Sequence, residues 1–150
     1  MSTKSFQQVF QLLIDLELKV GRLYQKFAER FAEDGRFWST LHQEEIEHAK
    51  ILNELKTCME NGAEQEHFCS KISTETLGAL ISSIETILQD ETYPATRKEA
   101  LWIAMQTELS AGEFHMKMIQ NGLFKNSGKD PFLWRADFDH AERIRAYLSA

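Results

Sequence analysis

Apolar residues recur every three to four positions along most of the chain, which predicts long amphipathic helices. Four such helices are predicted, over about residues 6–32, 36–59 and 97–121 and from about residue 130 onward. Ser5 with Gln8 and Thr96 with Glu99 form candidate capping boxes before the first and third helices. Turn or stop signals lie at Asp34-Gly35, Asn61-Gly62 and Asn121-Gly122, and Asp130-Pro131 begins the fourth helix.

A long stretch, residues 63–95, separates the second and third helices, and within it Glu75–Gln89 looks helical. Because short connections join the helices of each pair, the long stretch suits a crossover that carries the chain along a bundle. The pattern therefore predicts an all-α four-helix bundle, built from two hairpins with a long crossover between helices two and three. A length of 150 residues suits one domain spanning residues 1–150.

The two predicted hairpins resemble each other in sequence. The first helix reads ELKVGRLYQKF from Glu17, and the third reads ELSAGEFHMKM from Glu108. The second helix contains EIEHA from Glu45, and the fourth contains DFDHA from Asp137. This internal repeat indicates that the hairpins could pack around a pseudo-two-fold axis.

The inward seams of the four helices are apolar except in one layer of acidic residues and histidines. The layer contains Glu17, Glu45, His48, Glu108, Asp137 and His140. Residues three apart share a helix face, so each acidic-x-x-His pair can direct a carboxylate and an imidazole at one point. Four buried carboxylates would repel one another, whereas two divalent cations would cancel their charge. The layer predicts a two-metal site for iron or manganese, with zinc also possible.

A single Glu-x-x-His spacing is a weak signal, because such spacings arise by chance on many helix surfaces. Taken alone, either histidine is better explained as a core residue whose ring is hydrogen-bonded. The metal hypothesis rests on the whole set, which falls on inward seams in two matching halves.

These motifs resemble the ferritin-like superfamily and are most similar to the rubrerythrin family of di-iron proteins. The resemblance covers residues 17–140 and implies that Glu45 and Asp137 bridge two iron ions. It also implies that Glu17 and Glu108 are terminal ligands and that His48 and His140 complete the coordination shells. Asp137 stands where that family usually has glutamate, and Ala111 replaces its extra glutamate on the third helix. With no cysteine-rich rubredoxin-type domain, the chain resembles the shorter, single-domain members.

Two further residues are candidates for catalysis. Tyr24 and His115 lie seven positions after Glu17 and Glu108, on the same helix faces. Each could hydrogen-bond a metal ligand or supply a proton to the oxidant. Tyr24 is equally well explained as a core tyrosine with a satisfied hydroxyl.

Charge and composition exclude several classes of protein. The net charge is −6 and no basic cluster stands out, which argues against a nucleic-acid partner. No apolar run approaches the roughly 20 residues of a membrane span, and the first ten residues lack a signal-peptide pattern. Cys58 and Cys69 are predicted to be free thiols. We therefore expect a cytoplasmic protein.

The resemblance implies a rubrerythrin-like peroxidase, an oxidoreductase active in oxidative stress. Its di-iron site would reduce hydrogen peroxide or dioxygen with electrons from an external donor protein, and the chain would form a homodimer or small homo-oligomer. Two alternatives remain open at this stage. The chain could be a ferroxidase that handles iron, or a non-catalytic metal-binding helical bundle.

Overall fold

The chain folds into helices throughout the parts that the structure describes. The computed structural model describes residues 5–58, 62–112 and 140–149. Of these residues 89% are helical, in six α-helices, one 3-10 turn and one π-helical turn, with no strand among them. The predicted all-α class is confirmed. No helix in the described ranges is both long enough and apolar enough to cross a membrane.

The first two helices, α1 and α2, pack against each other and supply much of the core. Helix α1 spans Phe6–Arg30, and the predicted capping box of Ser5 and Gln8 is present at its start. Its buried face is lined by large apolar side chains, among them Phe10 and Phe27. A 3-10 turn, Ala32–Asp34, joins it to α2, Gly35–Cys58. A tight connection was predicted here, but Gly35, predicted as part of the turn, is the first residue of α2.

Two helices occupy the stretch predicted as a crossover. Helix α3 spans Gly62–Ser70, and α4 spans Thr74–Gln89. The predicted helical part is thus confirmed as α4, whereas α3 was not predicted. Helix α4 packs on α1, and Lys26 of α1 donates hydrogen bonds to three carbonyls at and after the end of α4. One of the three, Ile87, lies in the last turn of α4, where carbonyl groups lack the usual intrahelical partners.

The third predicted helix changes its geometry halfway. Helix α5 spans Arg97–Thr107 and is capped at its start by Thr96, as predicted. It then widens into a π-helical turn, Glu108–Gly112, where an unbroken α-helix was expected. The hydroxyls of Thr107 and Ser110 donate to carbonyls four residues earlier, and such bonds compete with the helix ladder and bend it. The predicted end of this helix lies outside the described residues.

The last described helix, α6, spans His140–Ser149 and packs on α5. The predicted start of the fourth helix, at Asp130-Pro131, lies outside the described residues. Tyr147 of α6 stacks on Phe37 of α2, with ring centroids 3.9 Å apart and planes at 6°. Its hydroxyl donates to buried Asp34, which also accepts from Arg97 Nε at 2.8 Å. These contacts hold α6 against the beginnings of α2 and α5.

Candidate metal centre

Five of the six predicted ligand residues meet in one buried layer. They are contributed by α1, α2, the π-helical turn and α6, and no side chain among them is more than 5% exposed. They are Glu17, Glu45, His48, Glu108 and His140, and are called here the carboxylate–histidine cluster. Asp137, predicted as the sixth ligand, lies outside the described residues.

In the first hairpin, His48 faces two carboxylates. Its Nδ1 lies 3.3 Å from Glu17 Oε2 and 3.4 Å from Glu45 Oε2. Glu45 and His48 are three residues apart on α2, so one helix face presents both groups, as predicted. Glu17 reaches them from α1.

In the second hairpin, His140 has an equivalent arrangement. Its Nδ1 lies 3.3 Å from Glu108 Oε1, the same separation as between His48 and Glu17. The same nitrogen lies 2.7 Å from Glu45 Oε1. The two oxygens of Glu45 therefore face different histidines, whose ring centroids are 5.2 Å apart. Glu45 is the residue that joins the two halves.

Burial and mutual repulsion perturb the carboxylates of this layer. Burial raises the pKa of Glu45, and the negative charge of Glu17 raises it further. Burial also raises the pKa of Glu108, with a second contribution from the charge of Glu45. Hydrogen bonds with His140 offset only part of both shifts. Both carboxyl groups thus favour protonation in the absence of another cation.

The pKa values of the two histidines are also raised, which favours their charged form. Burial disfavours the charged imidazolium, but hydrogen bonds with Glu17 and Glu45 and their negative charges outweigh burial and raise the pKa of His48 to about 10. The pKa of His140 is also strongly raised, because hydrogen bonds with Glu108, Glu44 and Glu45 outweigh the burial of its ring. The cluster attracts positive charge at these nitrogens.

The donor set fits a divalent metal ion. Metal ions such as zinc bind imidazole nitrogen and carboxylate oxygen at about 2.0–2.2 Å, so two ligand atoms at right angles on one ion lie about 3 Å apart. The nitrogen–oxygen separations in the cluster, 2.7–3.4 Å, are of this size. Ligand atoms of Glu45, His48 and His140 all lie within 4.8 Å of one another. This buried group could bind a metal ion.

Tyr24, predicted as a catalytic residue, reaches the cluster. It is fully buried, and its hydroxyl donates a hydrogen bond to Glu108 Oε1. Its ring stacks on Trp38 at a centroid distance of 5.6 Å. Both predicted roles are compatible with this contact, because the hydroxyl is satisfied and the acceptor is a candidate ligand. His115, the other predicted catalytic residue, lies outside the described residues.

Glu44 and Arg143 are contacts that sequence reasoning missed. Glu44 precedes the candidate ligand Glu45 on α2, and its Oε2 lies 3.1 Å from His140 Nε2. Arg143 Nη1 donates to both oxygens of Glu44, at 2.8 and 2.7 Å. These hydrogen bonds outweigh partial burial and lower the pKa of Glu44. The sequence did offer one sign of a charged contact beside His140, because Arg143 lies three residues later and therefore shares its helix face.

Close helix approach beside the cluster depends on Gly21. A Cβ at this position would meet Glu45 Cβ at 3.3 Å and His42 Nδ1 at 3.5 Å. The His42 ring nitrogen lies 2.7 Å from the Gly21 carbonyl oxygen, which ties α2 to α1 at this level. The glycine of the repeated E-L-x-x-G motif thus lets the backbone carrying Glu45 approach α1.

Comparison with protein-family models, with curated proteins and with solved structures found no match to this chain. No family is therefore shown, and the resemblance drawn from the motifs stays a prediction. What is established is an all-helical protein with a buried glutamate and histidine group suited to a metal ion.

Proposed function

We propose that this chain is a ferritin-like, rubrerythrin-like di-iron carboxylate protein. On this proposal, the four helical segments that supply the cluster form a four-helix bundle, and α3 with α4 forms the crossover. The protein reduces hydrogen peroxide, or dioxygen, with electrons from an external donor protein. A homodimer or small homo-oligomer is the expected assembly.

The observation that supports this proposal most is the position of Glu45 between two equivalent halves. Each half places one imidazole Nδ1 against one further glutamate, and Glu45 turns one oxygen toward each half. This is the arrangement expected when one carboxylate serves two ions. Di-iron and di-manganese bundles use such glutamates with Glu-x-x-His pairs.

Within this proposal the ligand roles follow from the contacts. Glu45 would be shared by the two ions, Glu17 with His48 would hold one, and Glu108 with His140 would hold the other. Asp137 is proposed as the second bridge on the sequence pattern alone. Imidazole with carboxylate suits iron or manganese, and zinc is compatible with the same ligands.

Tyr24 would act through its hydroxyl proton. Its Oη holds that proton against Glu108 Oε1, so it can orient this ligand and keep a donor at the edge of the site. Reduction of one hydrogen peroxide to two water molecules takes two electrons, which the iron pair would supply, and two protons. Because Tyr24 is fully buried, a proton it gives up must be returned through a hydrogen-bonded neighbour.

A second candidate function is a non-catalytic, metal-stabilised bundle. The mutual proximity of Glu45, His48 and His140 supports it, because these three residues suffice to hold a single ion. Such a site would bind zinc or manganese and would not turn over oxidants. The two candidates differ in the number of ions bound and in reactivity.

Anaerobic titration with Fe²⁺, followed by metal analysis, tests the proposal. We expect two ions per chain. The loaded protein is then mixed with hydrogen peroxide and with oxygen in a stopped-flow instrument, and we expect faster oxidation by peroxide. Tyr24→Phe should keep both ions and slow the peroxide reaction, since only the hydroxyl is removed.

The outcomes separate the candidates. One tightly bound ion with no oxidant reaction would favour the metal-stabilised bundle. Two ions with oxygen as fast as peroxide would move the assignment to an oxidase or an iron-handling ferroxidase, and a large hollow oligomer on a sizing column would favour the latter.

A further inference from the structure

His140 is held on both of its ring nitrogens. Nδ1 faces the cluster, 2.7 Å from Glu45 Oε1, while Nε2 lies 3.1 Å from Glu44 Oε2 on the other side of the ring. Glu44 is in turn held by Arg143, whose Nη1 lies within 2.8 Å of both carboxylate oxygens. Arg143 and His140 are on one face of α6, and Glu44 reaches across from α2.

A carboxylate can only accept a hydrogen bond, so Nε2 of His140 must carry the proton in this contact. If a metal ion replaces the proton on Nδ1, the ring becomes neutral and its Nδ1 lone pair would be offered to that ion, while Nε2 keeps its proton against Glu44. A charged acceptor also makes the ring a stronger electron donor at the other nitrogen. Arg143 keeps the acceptor in place, because a guanidinium that contacts both oxygens restricts the rotation of the carboxylate.

The internal repeat does not reproduce this arrangement in the other half. Aligning Glu45-x-x-His48 with Asp137-x-x-His140 places Ala136 at the position equivalent to Glu44. The position equivalent to Arg143 is Ile51 on α2. Neither side chain can form a carboxylate–guanidinium pair, so the repeat places no such pair at the equivalent positions.

We propose that Glu44, held by Arg143, is a positioning residue for His140 that makes the two metal positions unequal. The ion bound through His140 and Glu108 is the tighter of the two, and the ion bound through His48 and Glu17 is the weaker. This inference rests on the proposed two-metal function, but it concerns a different pair of residues and a separate property. Neither Glu44 nor Arg143 is a proposed metal ligand.

Titration with Co²⁺, followed by its visible absorption bands, tests this inference without oxidant. In the wild-type chain we expect two binding steps of different affinity. Glu44→Gln should weaken the tighter step by about ten- to a hundredfold and shift its absorption bands, the range typical of losing an outer hydrogen-bond partner. The second step should keep its affinity and its bands.

Two further variants make the test specific. Arg143→Gln, on the other helix, should weaken the same step by a smaller factor, because Glu44 remains but is less restrained. Glu47→Gln is the matched control, since Glu47 lies on α2 three residues after Glu44 and pairs with Lys50 at the surface. It should leave both steps unchanged. Circular dichroism of the metal-free variants verifies that each is folded.

The results distinguish this inference from the proposed function. Two wild-type steps with an unchanged Glu44→Gln titration would overturn the positioning role alone, as would equal weakening of both steps in a folded variant. A wild-type chain that binds no Co²⁺ would overturn both. Selective weakening of one step by Glu44→Gln and Arg143→Gln would support the inference.

Discussion

Two buried acidic clusters in this protein balance their negative charge in different ways. One is the Asp34 cluster, formed by Asp34, Arg97 and Tyr147. Its single carboxylate is matched by a guanidinium at 2.8 Å and by a tyrosine hydroxyl. The other is the carboxylate–histidine cluster, where three buried carboxylates face two imidazoles.

The difference lies in where the positive charge comes from. Arg97 is charged at all relevant pH values, so the Asp34 cluster is complete within the fold. Histidines are ordinarily neutral above a pKa near 6.5, so the other cluster must hold protons or bind cations to offset its charge. A buried, uncompensated charge costs several kcal/mol. The first cluster is therefore expected to stabilise the fold alone, and the second to depend on a ligand.

Removal of Glu45 should produce the largest effect. Glu45→Ala should weaken both metal sites together, by at least about a hundredfold, because one residue serves both ions. Fe²⁺ titration with metal analysis measures this loss. Glu47→Ala is the matched control on the same helix and should still bind two ions. Loss of one ion with retention of the other would show that Glu45 does not bridge.

Metal should raise the melting temperature at neutral pH. Free metal at about a hundredfold excess over Kd stabilises the fold by about 2.7 kcal/mol per site. For a chain of this size, that corresponds to roughly 5–11 °C per site. Thermal melts with metal and with chelator measure the gap, which should shrink in mild acid as the ligands protonate. Identical melts at neutral pH would contradict a buried metal site.

The metal-free protein should lose stability as pH rises from about 6.5 to about 10. The pKa of His48 is raised to about 10, so its stabilising contribution is complete below the unfolded value near 6.5 and is lost through the folded value. The raised pKa of Glu45 acts in the same direction, because the native state again binds more protons than the unfolded state. Urea unfolding across this range should show a loss on the order of a few kcal/mol.

Bound metal replaces those protons, so the loaded protein should have a much flatter profile over the same range. The variant Asp34→Asn should keep the slope of the metal-free wild type, since Arg97 does not titrate there. A metal-free profile that is flat, or that rises with pH, would contradict the assigned direction of these shifts.

Disruption of the Asp34 cluster should destabilise the fold whether or not metal is present. Asp34→Asn removes the charge that Arg97 and Tyr147 contact, and hydrogen bonds to charged groups contribute about 1.5–3 kcal/mol each. We expect a loss of about 2 kcal/mol in urea unfolding, with the metal-dependent gap unchanged. A gap that changes in this variant would show that the two clusters are coupled.

The smallest effect concerns the glycine beside the site. In the interior of a helix, a Gly→Ala substitution ordinarily raises the free energy of unfolding by up to about 1 kcal/mol. Gly78→Ala on α4 should show this increase, since nothing lies within 4 Å of the added Cβ. Gly21→Ala should gain less stability and should weaken metal binding a few-fold, because its Cβ would press on the Cβ of Glu45 at 3.3 Å. Equal gains in both variants, with metal binding unchanged, would remove the proposed role of Gly21.

Local sequence patterns were enough to predict much of the fold. Helices α1, α2 and α4 and the beginning of α5 lie close to their predicted bounds, because capping residues and apolar spacing act within one or two turns. The five described ligand candidates were also correctly placed on inward faces. Helix α3 was missed, since its nine residues include few apolar positions to reveal a period.

What the sequence determined by itself was the helical class and the repeated acidic-x-x-His motif, because helix periodicity translates spacing directly into a shared face. Only the tertiary structure decided the π-helical turn at Glu108 and the contacts that cross between helices. The structure alone revealed that Glu44 turns inward to His140, because its partners lie on another helix far along the chain. Such contacts join residues 96 positions apart, beyond the reach of any local pattern.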